Sequence, residues 1–166
     1  SCPVPVIARV QGDVYAGGVG LVSVCDIVVA VDTAGFCLSE AKLGLLPATI
    51  APYVVRALGE QASRRYFSTA ERFSAAEAHR LGLVHELATA ETLDEKVHAL
   101  TAALLANGPA AVRACKKLVQ DLAHAPITPA LRDDTARRIA DIRASAEGRE
   151  GVQSFLNKRA PGWIQA

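Results

Sequence analysis

Two features of this sequence have the residue types and spacing for chemistry. One is a glycine cluster at Gly12, Gly17, Gly18 and Gly20, and the other is a single acid, Glu40, at the end of an apolar run. The glycines follow Val6 to Val10, a β-branched stretch that predicts a buried strand. A small, mostly apolar segment that can wind into a helix comes after them. A strand feeding a glycine turn and a helix start presents bare backbone N–H groups to an anion. That anion is either a phosphate or an oxyanion formed during a reaction. The alternative is structural, a tight turn that lets helix and strand pack closely.

Spacing excludes two nucleotide motifs. A dinucleotide fingerprint asks for Gly or Ala three residues after Gly18-x-Gly20, where Ser23 stands. The next strand-like run begins at Asp26, leaving Val19 to Cys25 for a crossover that needs about a dozen residues. A phosphate-binding P-loop asks for Lys and then Ser or Thr after its last glycine, yet Gly18 and Val19 follow Gly17.

The elements that must position these groups follow from the hydrophobic pattern. Asp26 to Val31 predicts a second strand and Phe36-Cys37-Leu38 a third, short one. Glu40 comes next, ahead of Leu43, Leu45 and Leu46, where a carboxylate is a candidate for proton transfer. An exposed or helix-capping role is its alternative, and Cys37 beside it reads as core.

From Thr49 onward the pattern is helical. Gly59 and Gly82 read as helix ends, and Ser74-x-x-Glu77 and Thr92-x-x-Glu95 as capping boxes. Leu93, Val97, Leu100 and Leu104 share one helical face. Asn107-Gly108-Pro109 stops that helix and starts another, with Val112, Cys115, Leu118 and Leu122 on one stripe and Pro126 as its end. Two further helices are predicted over 128–144 and 146–158, the latter opened by Ser145. Alternating charges from Arg132 to Arg143 mark a solvated or subunit-facing surface. The boundary between a strand-rich part, 1–88, and a helical part, 89–166, is placed near Thr89.

Composition narrows the function classes. The chain has 166 residues, is 51% hydrophobic and carries a net charge of +1, which gives no footprint for nucleic acid or a membrane surface. Its most apolar run, Val19 to Ala34, is interrupted by Asp26 and Asp32, so no transmembrane segment is expected. Cys2, Cys25, Cys37 and Cys115 are widely spaced, as free thiols of a cytoplasmic protein would be. His79, His85, His98 and His124 are scattered, and neither a metal nor a redox cofactor is implied. The sequence contains no methionine and opens almost on a buried strand. It is therefore expected to be part of a longer protein, a processed or cloned fragment.

With these residues in hand, the chain resembles the enoyl-CoA hydratase/isomerase (crotonase) superfamily over nearly its whole length. The landmarks are Pro5-Val6-Ile7-Ala8, Gly12, Ala16-Gly17-Gly18, Cys25-Asp26-Ile27 and Phe36…Glu40…Leu43-Gly44…Pro47. Then come Ala75-x-Glu77-Ala78, Leu81-Gly82-Leu83-Val84 and Glu150-Gly151…Phe155-Leu156-x-Lys158-Arg159. The resemblance implies an α/β fold, a crotonase-like β-spiral lacking its N-terminal part, with a C-terminal helical region that builds trimers or hexamers. It also implies an acyl-CoA thioester as ligand, coenzyme A entering as part of the substrate. The missing part, supplied in the chain or as a separate N-terminal fragment, would bring a second oxyanion-hole amide.

By the same resemblance, the Gly17 N–H holds the thioester oxygen and Glu40 moves the proton. Ala16, Gly18, Leu38, Pro47 and Ala48 would line the substrate. Backbone groups around Pro47-Ala48 would help to place a water. Phe155, Lys158 and Arg159 would meet the acyl or phosphate end, trimer packing being the alternative for them. Hydratases of the family usually carry two glutamates. The first position is Gly20 here, an arrangement that also suits double-bond isomerisation. Gly17 to Val22, Leu38 to Ala48 and Arg64 to Phe73 are similar to bacterial methylglutaconyl-CoA hydratases of leucine degradation. An enoyl-CoA hydratase is the leading expectation; a single-glutamate isomerase and an inactive scaffold are the alternatives.

Overall fold

The computed structural model describes residues 2–164. The chain forms two compact units, one made of Val6–Ala99 and the other of the first residues to Pro5 together with Leu100 onward. The division falls inside the helix Leu93–Leu105.

The first unit is a spiral of strand–strand–helix turns. Strands β1 (Ile7–Val10) and β2 (Val14–Tyr15) lead into helix α1 (Gly17–Ser23). Strands β3 (Ile27–Val31) and β4 (Gly35–Cys37) lead into a 3-10 helix (Ser39–Leu43), then α2 (Ala51–Leu58) and α3 (Glu60–Thr69). Strand β5 (Phe73–Ser74) leads into α4 (Ala75–Arg80), followed by β6 (Glu86–Ala88) and α5 (Leu93–Leu105). Successive turns stack their strands into two small sheets, ordered β1-β3-β6 and β2-β4-β5. All pairings are parallel except β4 with β5, and the registers set Ile7 opposite Ile27 and Val14 opposite Phe36.

The apolar sequence explains where the core lies. Val28, Val29, Ala30 and Val31 of the central strand β3 are all buried, as a parallel strand covered on both faces requires. Phe36 is fully buried and stacks on Phe73 with ring centroids 5.7 Å apart, while Tyr66 tilts onto Phe73 at 4.2 Å. Burying a side chain of this size contributes about 1.5–3 kcal/mol. The aromatic trio thus anchors β4, β5 and α3 together.

The second unit contains α6 (Pro109–Leu122), α7 (Pro129–Ala144) and α8 (Ala146–Leu156). Helix α6 starts at Gly108-Pro109 and has no cap from its own side chains. Glu147 of α8 supplies one, accepting from the N–H groups of Ala110 (2.9 Å) and Ala111 (2.8 Å). Ser145 caps α8 itself, accepting from the Gly148 N–H.

Several sequence expectations need correction. Strands β2, β5 and β6 were not expected, because two or three residues carry no legible alternation. Helix α6 ends at Leu122 rather than Pro126, and His124 beyond it takes a φ of 71°. Helix α8 ends at Leu156, short of 158. Cys115 is exposed, so the α6 stripe consists of half-buried Val112, Leu118 and Leu122. Ser74 caps α4 through the Glu77 N–H, but the Glu77 carboxylate pairs with Arg80 instead of returning to Ser74. The Thr92 hydroxyl accepts from the Thr89 N–H. Among the described residues, no helix is long and apolar enough to cross a membrane.

The second unit carries a pH-dependent clamp. Glu150 is bound by Arg159 at 2.6 and 2.9 Å and by the Gly162 N–H at 2.9 Å, contacts that hold its carboxyl at about 2 against an ordinary 4.5. The folded chain stabilises the carboxylate form. Its contribution is therefore complete above the ordinary value and fades as pH falls toward about 2. Trp163, the chain's one tryptophan, lies against Gly151 and donates to the Ala106 carbonyl at 3.2 Å. Tryptophan emission should change between pH 4.5 and 2, and Glu150→Gln should remove that component of the titration. An identical acid profile in the variant would show that the clamp has no role in acid stability.

Candidate active site

The glycine turn is set in place by a carboxylate that the sequence did not single out. Asp13 accepts from the Gly35 N–H at 2.7 Å, from Arg72 at 2.7 and 3.1 Å and from the Tyr15 hydroxyl at 3.3 Å. Arg72 holds the Asp13 carboxyl below its usual range. Any Cβ at position 35 would come within 2.0 Å of the Arg72 guanidinium, so only glycine lets the arginine lie across β4. This clamp fastens the start of β2 to the start of β4.

At the other end of the same strand pair, the Ala16 N–H donates to the Cys37 carbonyl at 2.8 Å. Ala16 takes φ 47° and ψ −120°, a conformation that costs a non-glycine residue about 1–3 kcal/mol. The bend starts α1 at Gly17. The Val19 N–H returns to the Ala16 carbonyl at 2.9 Å, and the N–H groups of Gly17 and Gly18 have no acceptor among the described residues. A Cβ on Gly17 would meet nothing within 4 Å, so the space over that residue is open. Free N–H groups at a helix start can hold an oxyanion.

Glu40 arrives from β4. Fully buried Leu38 precedes the 3-10 helix that carries it, and Gly44 closes that helix at φ 70°. The Leu45 N–H donates to the Glu40 carbonyl at 3.1 Å, which fixes the backbone on both sides. The Glu40 atom Oε2 is buried and has no hydrogen-bond partner among the described residues. An unsatisfied carboxylate oxygen is costly inside a protein, and such groups concentrate where a ligand completes them. The pairing of Ala16 with Cys37 thus brings the glycine N–H groups and Glu40 out of neighbouring strands.

The remaining expected residues fall into place as follows. Pro47 is buried, and its carbonyl accepts from Ile50 (3.2 Å) and Ala51 (2.9 Å). Ala48 is exposed, and its N–H is taken by the Leu46 carbonyl at 2.9 Å. Proline has no N–H and that of Ala48 is engaged, so neither offers a free N–H to a water. Phe155 and Lys158 belong to the other unit; Phe155 is 82% exposed, and the Lys158 N–H donates to the Phe155 carbonyl. Arg159 is occupied by Glu150. Cys37 is buried with its thiol on the Ala70 carbonyl, and His85 accepts from the Val28 N–H, so both serve packing.

Position 20 is closed. Gly20 is buried, and a Cβ there would lie 2.3 Å from Ile50 Cγ2 and 2.6 Å from Ile50 Cβ. No carboxylate can stand at this position while Ile50 stays where it is. Sequence reasoning missed Ile50 and Arg72 because both act through tertiary contact.

The family model described as enoyl-CoA hydratase/isomerase matches residues 1–166. The chain is 38% identical to the enoyl-CoA hydratase ACTT6 of Alternaria alternata, over 99% of this chain and 56% of that protein. Among solved structures, an enoyl-CoA hydratase of Shewanella pealeana shares 45% identity with a TM-score of 0.92, over 97% of this chain and 60% of the other. Pseudomonas aeruginosa AtuE shares 41% identity with a TM-score of 0.92, over 98% and 63%. The chain therefore spans somewhat over half the length of the relatives it matches.

The two glycines of α1 should respond oppositely to alanine. Gly17→Ala enters open space on a helix and should keep or raise stability, since alanine favours a helix by about 0.5–1 kcal/mol. Gly20→Ala collides with Ile50 and should cost about 1–3 kcal/mol. Urea denaturation of the two variants measures both values, and equal stabilities would contradict the packing at Gly20.

Proposed function

This chain belongs to the enoyl-CoA hydratase/isomerase family, and from that premise we propose that its protein adds water across a 2-enoyl-CoA to give a 3-hydroxyacyl-CoA. The observation that carries this reading is the buried, unpartnered Glu40 carboxylate oxygen, in the 3-10 helix that follows β4, while β4 pairs with the strand that leads to Gly17 and its free N–H. The Gly17 N–H donates a hydrogen bond to the thioester oxygen. Glu40 takes a proton from water as the water oxygen bonds to the β-carbon. The electron pair of the double bond moves into the thioester, whose enolate oxygen is held at Gly17. Glu40 then returns that proton to the α-carbon, so one carboxylate serves as base and acid in turn.

For the acyl group we favour a branched or carboxylated enoyl chain such as methylglutaconyl-CoA, on the likeness of the residues around Gly17, Glu40 and Arg64 to Phe73. Coenzyme A is part of the substrate, and no separate cofactor enters. Self-association into trimers or hexamers is supported by the apolar side chains that the helical unit leaves exposed, among them Val119, Ile127, Ile139 and Phe155. One observation also favours isomerisation: Ile50 over Gly20 leaves Glu40 as the single acid, which is enough to carry a proton between two carbons.

The purified protein should hydrate crotonyl-CoA or methylglutaconyl-CoA, followed by loss of the enoyl absorbance. Glu40→Gln should reduce the rate by about 10²–10⁴-fold while the thermal midpoint stays level or rises. A shifted double bond without water uptake would replace hydration by isomerisation. Full activity in Glu40→Gln would end both readings.

A further inference from the structure

The surface over α1 changes within one helical turn. At Gly17 it is open, and at Gly20, on the same face about 4.5 Å further along the helix axis, the side chain of Ile50 lies directly on the bare Cα. Ile50 is only half-buried, so part of it remains exposed to solvent. Its position is firmly held. It precedes α2, its N–H donates to the Pro47 carbonyl, and its carbonyl accepts from Tyr53 and Val54 at 3.0 Å each. A β-branched side chain in such a setting has few rotamers. The N–H groups of Gly17 and Gly18 at the start of α1 have no acceptor among the described residues, and β4, the strand paired with the one before α1, leads to Glu40.

We propose that Ile50 determines which acyl groups the site accepts, by forming the apolar wall against which the acyl chain of a thioester held at Gly17 stops. The proposal rests on the acyl-CoA reading above. With the thioester oxygen on the Gly17 N–H, the carbons next to the carbonyl lie along α1, and Ile50 stands one turn away. Short or compact acyl groups then pack against its methyl groups, and chains that extend straight along α1 are turned back. Gly20 is part of the same device, because only a missing Cβ lets Ile50 approach the helix so closely.

Non-reacting ligands test this without depending on turnover. Titration calorimetry with coenzyme A and its acetyl, butyryl, hexanoyl and octanoyl thioesters would be run on the wild type, Ile50→Ala, Ile50→Val and Ile50→Phe. The wild type should bind butyryl-CoA best. Ile50→Ala should gain about tenfold for the hexanoyl and octanoyl thioesters, the equivalent of roughly two more buried methylenes. Coenzyme A itself should bind all variants alike, and Ile50→Phe should lose butyryl-CoA. Ile50→Val, with a smaller gain in the same direction, covers the case in which Ile50→Ala fails to fold. An unchanged ranking by chain length in the folded variants overturns the role of Ile50 and leaves the acyl-CoA reading standing. If no thioester binds the wild type more tightly than coenzyme A does, both fall together.

Discussion

The hydrogen bond from the Ala16 N–H to the Cys37 carbonyl, 2.8 Å long, joins the two halves of the candidate site. Neither half has meaning without the other. A glycine turn alone is a loop, and a glutamate after a strand is one carboxylate among many. The β2–β4 pairing puts the turn beside the strand that delivers Glu40, and the Asp13–Arg72 ion pair holds the far end of that pairing. An exposed ion pair is worth little by itself. Here its geometry matters more, because Asp13 also takes the Gly35 N–H and so fixes where β4 begins. Gly35 is the consequence: the residue must lack a side chain for Arg72 to reach across.

Two local costs accumulate at this junction. Ala16 is held at a positive φ, and Glu40 keeps a buried oxygen without a partner. Neither improves the fold, and each is of a size that a well-packed core can offset. Phe36, Phe73 and Tyr66 supply that packing directly behind β4. Strain at Ala16 turns the chain so that α1 begins with free N–H groups. A buried carboxylate oxygen without a partner is an arrangement that concentrates where a ligand completes it. Stability placed in the aromatic cluster thus sustains instability at the site, the pattern expected where local rules give way to function.

Much of the scaffold was legible in the sequence. The β-branched run of β3 and the apolar run of β1 are strong local signals, and Ser74, Ser145 and Gly82 mark helix ends through backbone requirements of their own. The glycine turn and Glu40 were also legible as candidates, since their residue types are unusual for their positions. Their juxtaposition was implied only by the family resemblance and not by the local pattern, because it rests on strands of two and three residues that have too few side chains to show a period. Arg72 reaches Asp13 from 59 residues away, and no spacing rule connects them. Glu147 escaped for a related reason: α6 opens with Gly108-Pro109, and its cap comes from another helix.

Gly20 shows how far a local reading can mislead about cause. Read along the chain, it is one of three glycines in four positions, and its role looks like turn flexibility. The structure places it inside α1, buried and with no positive φ to require glycine. Its lack of a side chain is instead dictated by Ile50, which occupies that volume from the start of α2. A backbone explanation would leave Ile50 free to vary. A packing explanation makes the two positions one unit, so that a larger residue at 20 demands a smaller one at 50. The lack of an acid at position 20 and the apolar surface over it then have the same physical origin, the close approach of the start of α2 to α1.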